Sequence, residues 1–181
     1  DQVGGLVGYG GGGTVTGVSV TGSVDGTDRV GGLVGFSEGG TVEKSAATVA
    51  VTGSLNVGGL VGRLSATTVS DSYATGDVTA SDDRAGGLVG GKDLSGEVTE
   101  SYATGNVSGT DNVGGLVGIN EDGPVTESYA TGNVSGSSYV GGLVGQLKGG
   151  AVSDSYWDTG STGQTASAGS PDSNGLTTTQ M

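Results

Sequence analysis

The pentapeptide Gly-Gly-Leu-Val-Gly occurs six times in this chain, beginning at Gly4, Gly31, Gly58, Gly86, Gly114 and Gly141. The steps between copies are 27, 27, 28, 28 and 27 residues. A unit of that size cannot bury an apolar face by itself. At a fixed period it does so by stacking on its neighbours, so the pattern specifies a repeat architecture. An ordinary globular core is a poor alternative, because hydrophobic residues make up only 32 % of the chain and 42 of its 181 residues are Gly. Collagen is excluded, since Gly does not fall at every third position.

Within each unit a Val precedes the first Gly-Gly pair: Val3, Val30, Val57, Val113 and Val140, with Ala85 in the odd copy. A polar or Gly-rich segment follows each copy, such as Tyr9 to Gly13 or Asn120 to Gly123, and reads as a turn. Next comes a short segment centred on Val15, Val42, Val69, Val98, Val125 and Val152, each flanked by polar or small residues. One inward Val between outward neighbours predicts a very short strand. A third segment alternates with period two. Val18, Val20, Gly22 and Val24 share one face in the first unit, against Ser19, Thr21, Ser23 and Asp25. The second unit agrees, with Ala47, Val49 and Val51 inside and Thr48 and Thr52 outside.

The same parity puts Tyr73, Tyr102, Tyr129 and Tyr156 outside, together with Thr21, Thr48, Thr75, Thr104 and Thr131. Units stacked in register would bring like residues within about 4.8 Å. The result is an external column of Tyr beside an external column of Thr. Such columns stabilise sheets by roughly 0.2–1 kcal/mol per pair. They also offer a glycan-binding face, for which Tyr73, Tyr102, Tyr129, Thr104 and Thr131 are the candidates. The repeated Leu-Val resists this parity, because both residues are apolar in every copy. Either the Gly-Gly pair bends the chain and resets the alternation, or this strand is covered on both faces by a further layer or partner.

The expected fold is all-β: a parallel β-helix or solenoid, right-handed, of about six coils of 27–28 residues with three short strands each. Six coils give a rod of roughly 25–30 Å. The repeats occupy 1–158, and 159–181 is a Gly/Ser/Thr-rich C-terminal cap or tail. Trp157, the only Trp, reads as a plug over the last coil. Asp1 stands almost on a motif, as expected of a piece of a longer chain.

The repeated Val-Gly-Gly-Leu-Val-Gly, the Ser-Tyr-Ala-Thr-Gly-Asn-Val segments at 101–107 and 128–134, and the closing Ser155-Tyr156-Trp157-Asp158-Thr159 resemble the GLUG-motif repeat family. Its Gly-Leu-x-Gly core is matched six times, for instance at Gly5-Leu6-Val7-Gly8. The resemblance implies a segment of a bacterial or archaeal cell-surface or secreted protein, often adhesin-like, and carries no catalytic residues with it. The second unit departs from the pattern at Ala46 and Val49, and the first at Ser19 and Val20.

With no His and no Cys, a Ser/His/Asp triad, a Cys/His dyad and a Cys/His zinc site cannot be built from this chain. A phosphate loop of the Gly-x-x-x-x-Gly-Lys-Ser/Thr type is missing too. The net charge of −13 repels phosphate backbones, so nucleic acid is not an expected partner. No apolar run approaches the roughly 20 residues that span a bilayer, and membrane insertion by this segment is not expected. Two acidic pairs, Asp82 with Asp83 and Glu121 with Asp122, are the only candidates for two-carboxylate glycoside chemistry. Adjacent turn acids more often form a solvated edge. Calcium is the one cofactor considered, with Asp82, Asp83, Asp111, Glu121 and Asp122 as ligand candidates in turns, and Asp25 and Asp28 beside them. Asn106-Val107-Ser108 and Asn133-Val134-Ser135 fit the N-glycosylation sequon. The reading is therefore a non-enzymatic extracellular module, structural or adhesive, whose partners are a cell-surface glycan or protein, or copies of itself. Self-assembly into a filament or sheet and glycan binding by the Tyr/Thr face are the alternatives.

Overall fold

A computed structural model describes residues 1–168, 170 and 174–181. It is a parallel β-solenoid of about six turns, almost without helix. Two sheets run its length, one of fourteen strands and one of ten. Equivalent residues of successive coils pair in register, as in Val3↔Val30, Val30↔Val57, Val57↔Ala85, Ala85↔Val113 and Val113↔Val140. Among the described residues no helix is long and apolar enough to cross a membrane.

One coil shows the path. Tyr102–Ala103, Val107–Ser108 and Asp111–Gly114 lie in the larger sheet, called here the tyrosine sheet. The chain bends at Gly115 and Leu116 and enters the second sheet as Val117–Asn120 and Pro124–Thr126. It returns to the tyrosine sheet at Tyr129–Ala130. The expected three strands per coil are thus two opposed sides, interrupted differently in different coils. In the second coil two long strands, Val34–Glu43 and Ala46–Gly58, replace the five short pieces. On the tyrosine side the second coil carries Val49 at the position where the third to fifth coils carry Gly, while Gly22 of the first coil pairs with Val49 inside a continuous strand. Gly76, Gly105 and Gly132 of the later coils sit where the strand breaks, and Val49 is fully buried.

The bend resolves the parity conflict of the Leu-Val pair. Leu33, Leu60, Leu88, Leu116 and Leu143 are all fully buried, and so are the Val residues that follow them. Both point into one core, because the first Gly-Gly pair ends one strand and Val begins the next. No second layer is needed. Each Leu carbonyl accepts two bonds from the coil before it, as when Leu88 N and Val89 N donate to Leu116 O at 2.9 and 3.0 Å.

The three motif glycines are selected by contact. None has a positive φ. A Cβ on Gly115 would fall on the carbonyl oxygen of Gly142, and one on Gly118 would lie 2.9 Å from Asn112 O. Backbone passes against backbone at this corner, and only Gly leaves room.

The opposite corner uses a different device. Lys44, Asp71, Glu100, Glu127 and Asp154 hold φ between 48° and 51°. Each is followed by Ser45, Ser72, Ser101, Ser128 or Ser155, buried to 1 % exposure or less. Every Ser hydroxyl donates to the carbonyl two residues back and accepts an N–H from the preceding coil. Ser101 Oγ, for example, donates to Thr99 O at 2.7 Å and accepts from Ser72 N at 3.2 Å. An internal serine column thus satisfies the backbone groups that the turn frees. Ser101→Ala is expected to cost about 1–3 kcal/mol, because it leaves the buried Ser72 N–H unpaired. Urea denaturation beside Ser108→Ala, whose side chain is only half-buried, checks this.

The two ends differ. Trp157 occupies the position of Ala130 one coil on, is fully buried, and covers Gly142. Its Nε1 donates to Gln164 O at 2.9 Å. Beyond it, Thr159–Thr162 form one helical turn, capped by the Asp158 carboxylate and closed by Gly163 at φ 70°. Burial alone would raise the Asp158 pKa, but hydrogen bonds from Thr178, Gly160 and Ser161 outweigh it and hold the carboxyl below its usual range. Ser167 Oγ accepts from Leu143 N and Val144 N at 3.2 and 2.8 Å, the role played elsewhere by the next Leu carbonyl. Gly142 N donates to Ala166 O in the same way. Residues 159–168 therefore form a fitted cap. At the other end Leu6 is 50 % exposed.

Candidate functional site

The tyrosine sheet carries its aromatic column on the outside, where the alternation predicted it. Tyr73, Tyr102 and Tyr129 pair in register and their rings stack, with centroids 5.0 and 4.9 Å apart and interplanar angles of 3° and 6°. The geometry follows from the sheet, since parallel in-register strands repeat at about 4.8 Å. Burial by its two neighbours, and then their phenols, pushes the Tyr102 hydroxyl pKa up. Thr21, Thr48, Thr75 and Thr104 are exposed beside the column, and Thr131 is half-buried. Tyr156 pairs with Tyr129 through the backbone, yet the stack of rings ends at Tyr129.

Next to this face the chain turns through Asp77, Asn106 and Asn133, all exposed. Asp77 Oδ1 accepts from Asn106 N and Nδ2 at 2.9 and 3.0 Å, and Asn106 Oδ1 accepts from Asn133 N at 3.1 Å. Both sequon Asn side chains thus sit on the outer surface, and that of Asn106 is bonded at both ends.

The acidic candidates do not gather. Among the described residues no group of three carboxylates converges on a point that could hold a metal ion. Asp83 accepts from Asn112 Nδ2 at 2.6 Å, and Asp111 accepts from Asn112 N at 3.2 Å. Asp82 is exposed, and its backbone carbonyl accepts from Thr110 N. Glu121 faces Arg84 and Lys148, each at 3.6 Å, and Arg63 at 3.8 Å. Asp122 accepts from Ser95 N and Oγ at 3.1 Å. Hydrogen bonds from Gly123 N, and then Ser95, hold its carboxyl below the usual range. Each acid is thus either engaged by a donor or open to solvent.

Lys92 is what the sequence did not single out. It follows the motif in the fourth coil, aligned with Leu64 before it and Asn120 after it, and is 1 % exposed. Its ammonium donates to Gly96 O at 2.7 Å and to Asp122 O at 2.8 Å. A cation therefore does sit against the loop carrying Asp122, but the chain supplies it as a side chain. The signal available was a charged residue at a position that holds Leu one coil earlier.

Burial lowers the Lys92 pKa from 10.5 to about 8, against the raising fields of Asp122 and Glu97. Between those values the unfolded chain holds a proton that the folded chain has released. The stability penalty is therefore full below about pH 8 and is relieved as pH rises towards 10.5. Relative to Lys92→Met, the parent should gain up to about 3 kcal/mol across that window. Urea denaturation of both proteins through the window reads the difference.

A parallel solenoid of 27- and 28-residue coils, turning on Gly-Gly-Leu-Val-Gly at one corner and on a buried Ser at the other, defines the structural class. The model of the GLUG motif matches residues 26–52, 53–79 and 109–135, which supports reading these segments as repeats of the GLUG family. The coil between the second and third matches is the one that carries Ala85 and Lys92. No curated protein and no solved structure matches the chain.

Proposed function

We propose that this chain is a non-enzymatic structural and adhesive repeat module of a cell-surface or secreted protein. The observation that carries the reading is how the repeated side chains are used. From the second coil on, Leu, Val, Ser and the three motif glycines serve the stack, and from the third coil on the face left to solvent repeats an aromatic and hydroxyl pattern. A rigid rod with a repeated exposed pattern suits a spacer that also presents contacts. The net charge of −13 keeps such a rod soluble and apart from anionic polymers. Its partner is a surface glycan or protein. Antibody raised to the module should label intact, unpermeabilised cells of the producing organism. Labelling only after permeabilisation would overturn the extracellular reading. Hydrolysis of a polysaccharide or peptide that one carboxylate substitution abolishes would overturn the non-enzymatic one.

A further inference from the structure

Inside the column each tyrosine ring is faced by the next, so an interior ring offers solvent its edge and its hydroxyl. The column changes where it meets the cap. Tyr129 and Tyr156 are strand partners, but their rings do not stack, and they are 37 % and 38 % exposed. The cap strand Gly175–Leu176 pairs with Trp157 and Asp158 and brings Leu176 to this edge. A groove of about 490 Å³ results, lined by Tyr129, Thr131, Tyr156, Leu176 and Met181. Its size falls within the roughly 300–1,000 Å³ typical of small-ligand sites.

We propose that this groove binds a neutral hexopyranose ring of a glycan chain. The inference rests on the adhesive reading above, for which it names a site and a ligand class. The chemistry of the walls selects the ligand. Tyr129 lacks a stacked partner on its C-terminal side, so an aromatic face is free to take the C–H face of a sugar ring. Leu176 and Met181 extend the apolar wall. Thr131 and the two phenols supply hydroxyls that donate to and accept from ring hydroxyls. Among the described residues no lysine or arginine lines the groove, and the chain is strongly acidic, so a phosphate, uronate or sialate is disfavoured. Among the described residues no Asp or Glu side chain lines it either, so a cationic ligand finds no side-chain carboxylate there. What fits is a ring that is apolar on one face, polar at its rim and uncharged.

The test titrates the protein with cellotetraose, mannotetraose and chitotetraose, with a sialylated lactose as the charged comparison, and reads amide chemical shifts. At least one neutral probe should bind, with shifts centred on Tyr129, Thr131 and Tyr156. Tyr129→Ala and Tyr156→Ala should each weaken it by about tenfold. Thr131→Val, which keeps the shape and removes the hydroxyl, should weaken it severalfold. Tyr73→Ala, at the far end of the stack, should leave it within about twofold. Equal loss in Tyr73→Ala and Tyr129→Ala would place binding on the whole column and overturn the groove. Preference for the sialylated probe would overturn the neutral ligand class. No binding of any neutral probe by a protein that still attaches to cells would overturn the groove while leaving the adhesive reading intact.

Discussion

Gly115→Ala should destabilise the chain by at least about 3 kcal/mol, against a total stability of order 5–15 kcal/mol for a domain. The added methyl would fall on the carbonyl oxygen of Gly142 in the next coil and lie 2.9 Å from Ala130 Cβ. Backbone on one side and a buried methyl on the other leave no flexible group to give way. Relief would mean parting two coils, which breaks the bonds from Leu116 N and Val117 N to Leu143 O. The φ of Gly115 is not positive, so the left-handed strain that disfavours alanine does not enter the loss. Gly10→Ala is the comparison, because its Cβ would meet only Val7 Cγ1, at 3.8 Å. It should change stability by no more than about 0.5 kcal/mol. Urea denaturation midpoints of the two variants report the contrast. Similar small effects in both would mean that the motif glycines are not close-approach residues.

Trp157→Ala should cost about 3–5 kcal/mol, the usual toll for emptying a fully buried tryptophan site. Its effect should also be local, because in a stacked repeat each coil contacts only its neighbours. The ring covers Gly142 and holds Gln164 O, and so places the segment whose Ser167 Oγ receives Leu143 N and Val144 N. Without the ring those amides lose their acceptor. Hydrogen exchange should then show Gly142, Leu143 and Val144 exchanging fast while Leu33 and Leu60 keep their protection. Uniform loss along the chain would contradict a serial stack closed by a cap.

Much of this was legible in the sequence because a repeat displays one solution six times. The period gave the coil, and the alternation at Val18 to Asp25 and Ser101 to Ser108 gave the inner and outer faces, including the outward tyrosines. The Leu-Val conflict located the bend between the sheets without settling its geometry, because parity marks where an alternation fails and carries no angle. The second corner was invisible. Glu100, Glu127 and Asp154 are ordinary surface residues by type, and their left-handed backbone is disclosed only by coordinates. The buried Ser beside them looked like one small residue on the core face, though its hydroxyl joins successive coils. Lys92 and the groove at Tyr129 were missed for a common reason. Each departs from the repeat through a change in one neighbour, an inserted loop in the first case and the cap strand in the second.

The central claim is that successive coils are equivalent and joined in register, so one can be removed whole. The pairing Tyr102↔Tyr129 sets the cut. Deleting 103–129 joins Tyr102 to Ala130 and restores Ser-Tyr-Ala-Thr-Gly at the junction. Deleting 103–126 instead shifts every later residue off its partner. The measurement is cooperative urea unfolding of both proteins, followed by the amide signals of Leu33, Leu60 and Leu143. The shortened coil stack should fold cooperatively with those amides protected, and the out-of-register deletion should not fold. Loss of folding in both, or survival of both alike, would contradict the stacked-coil account.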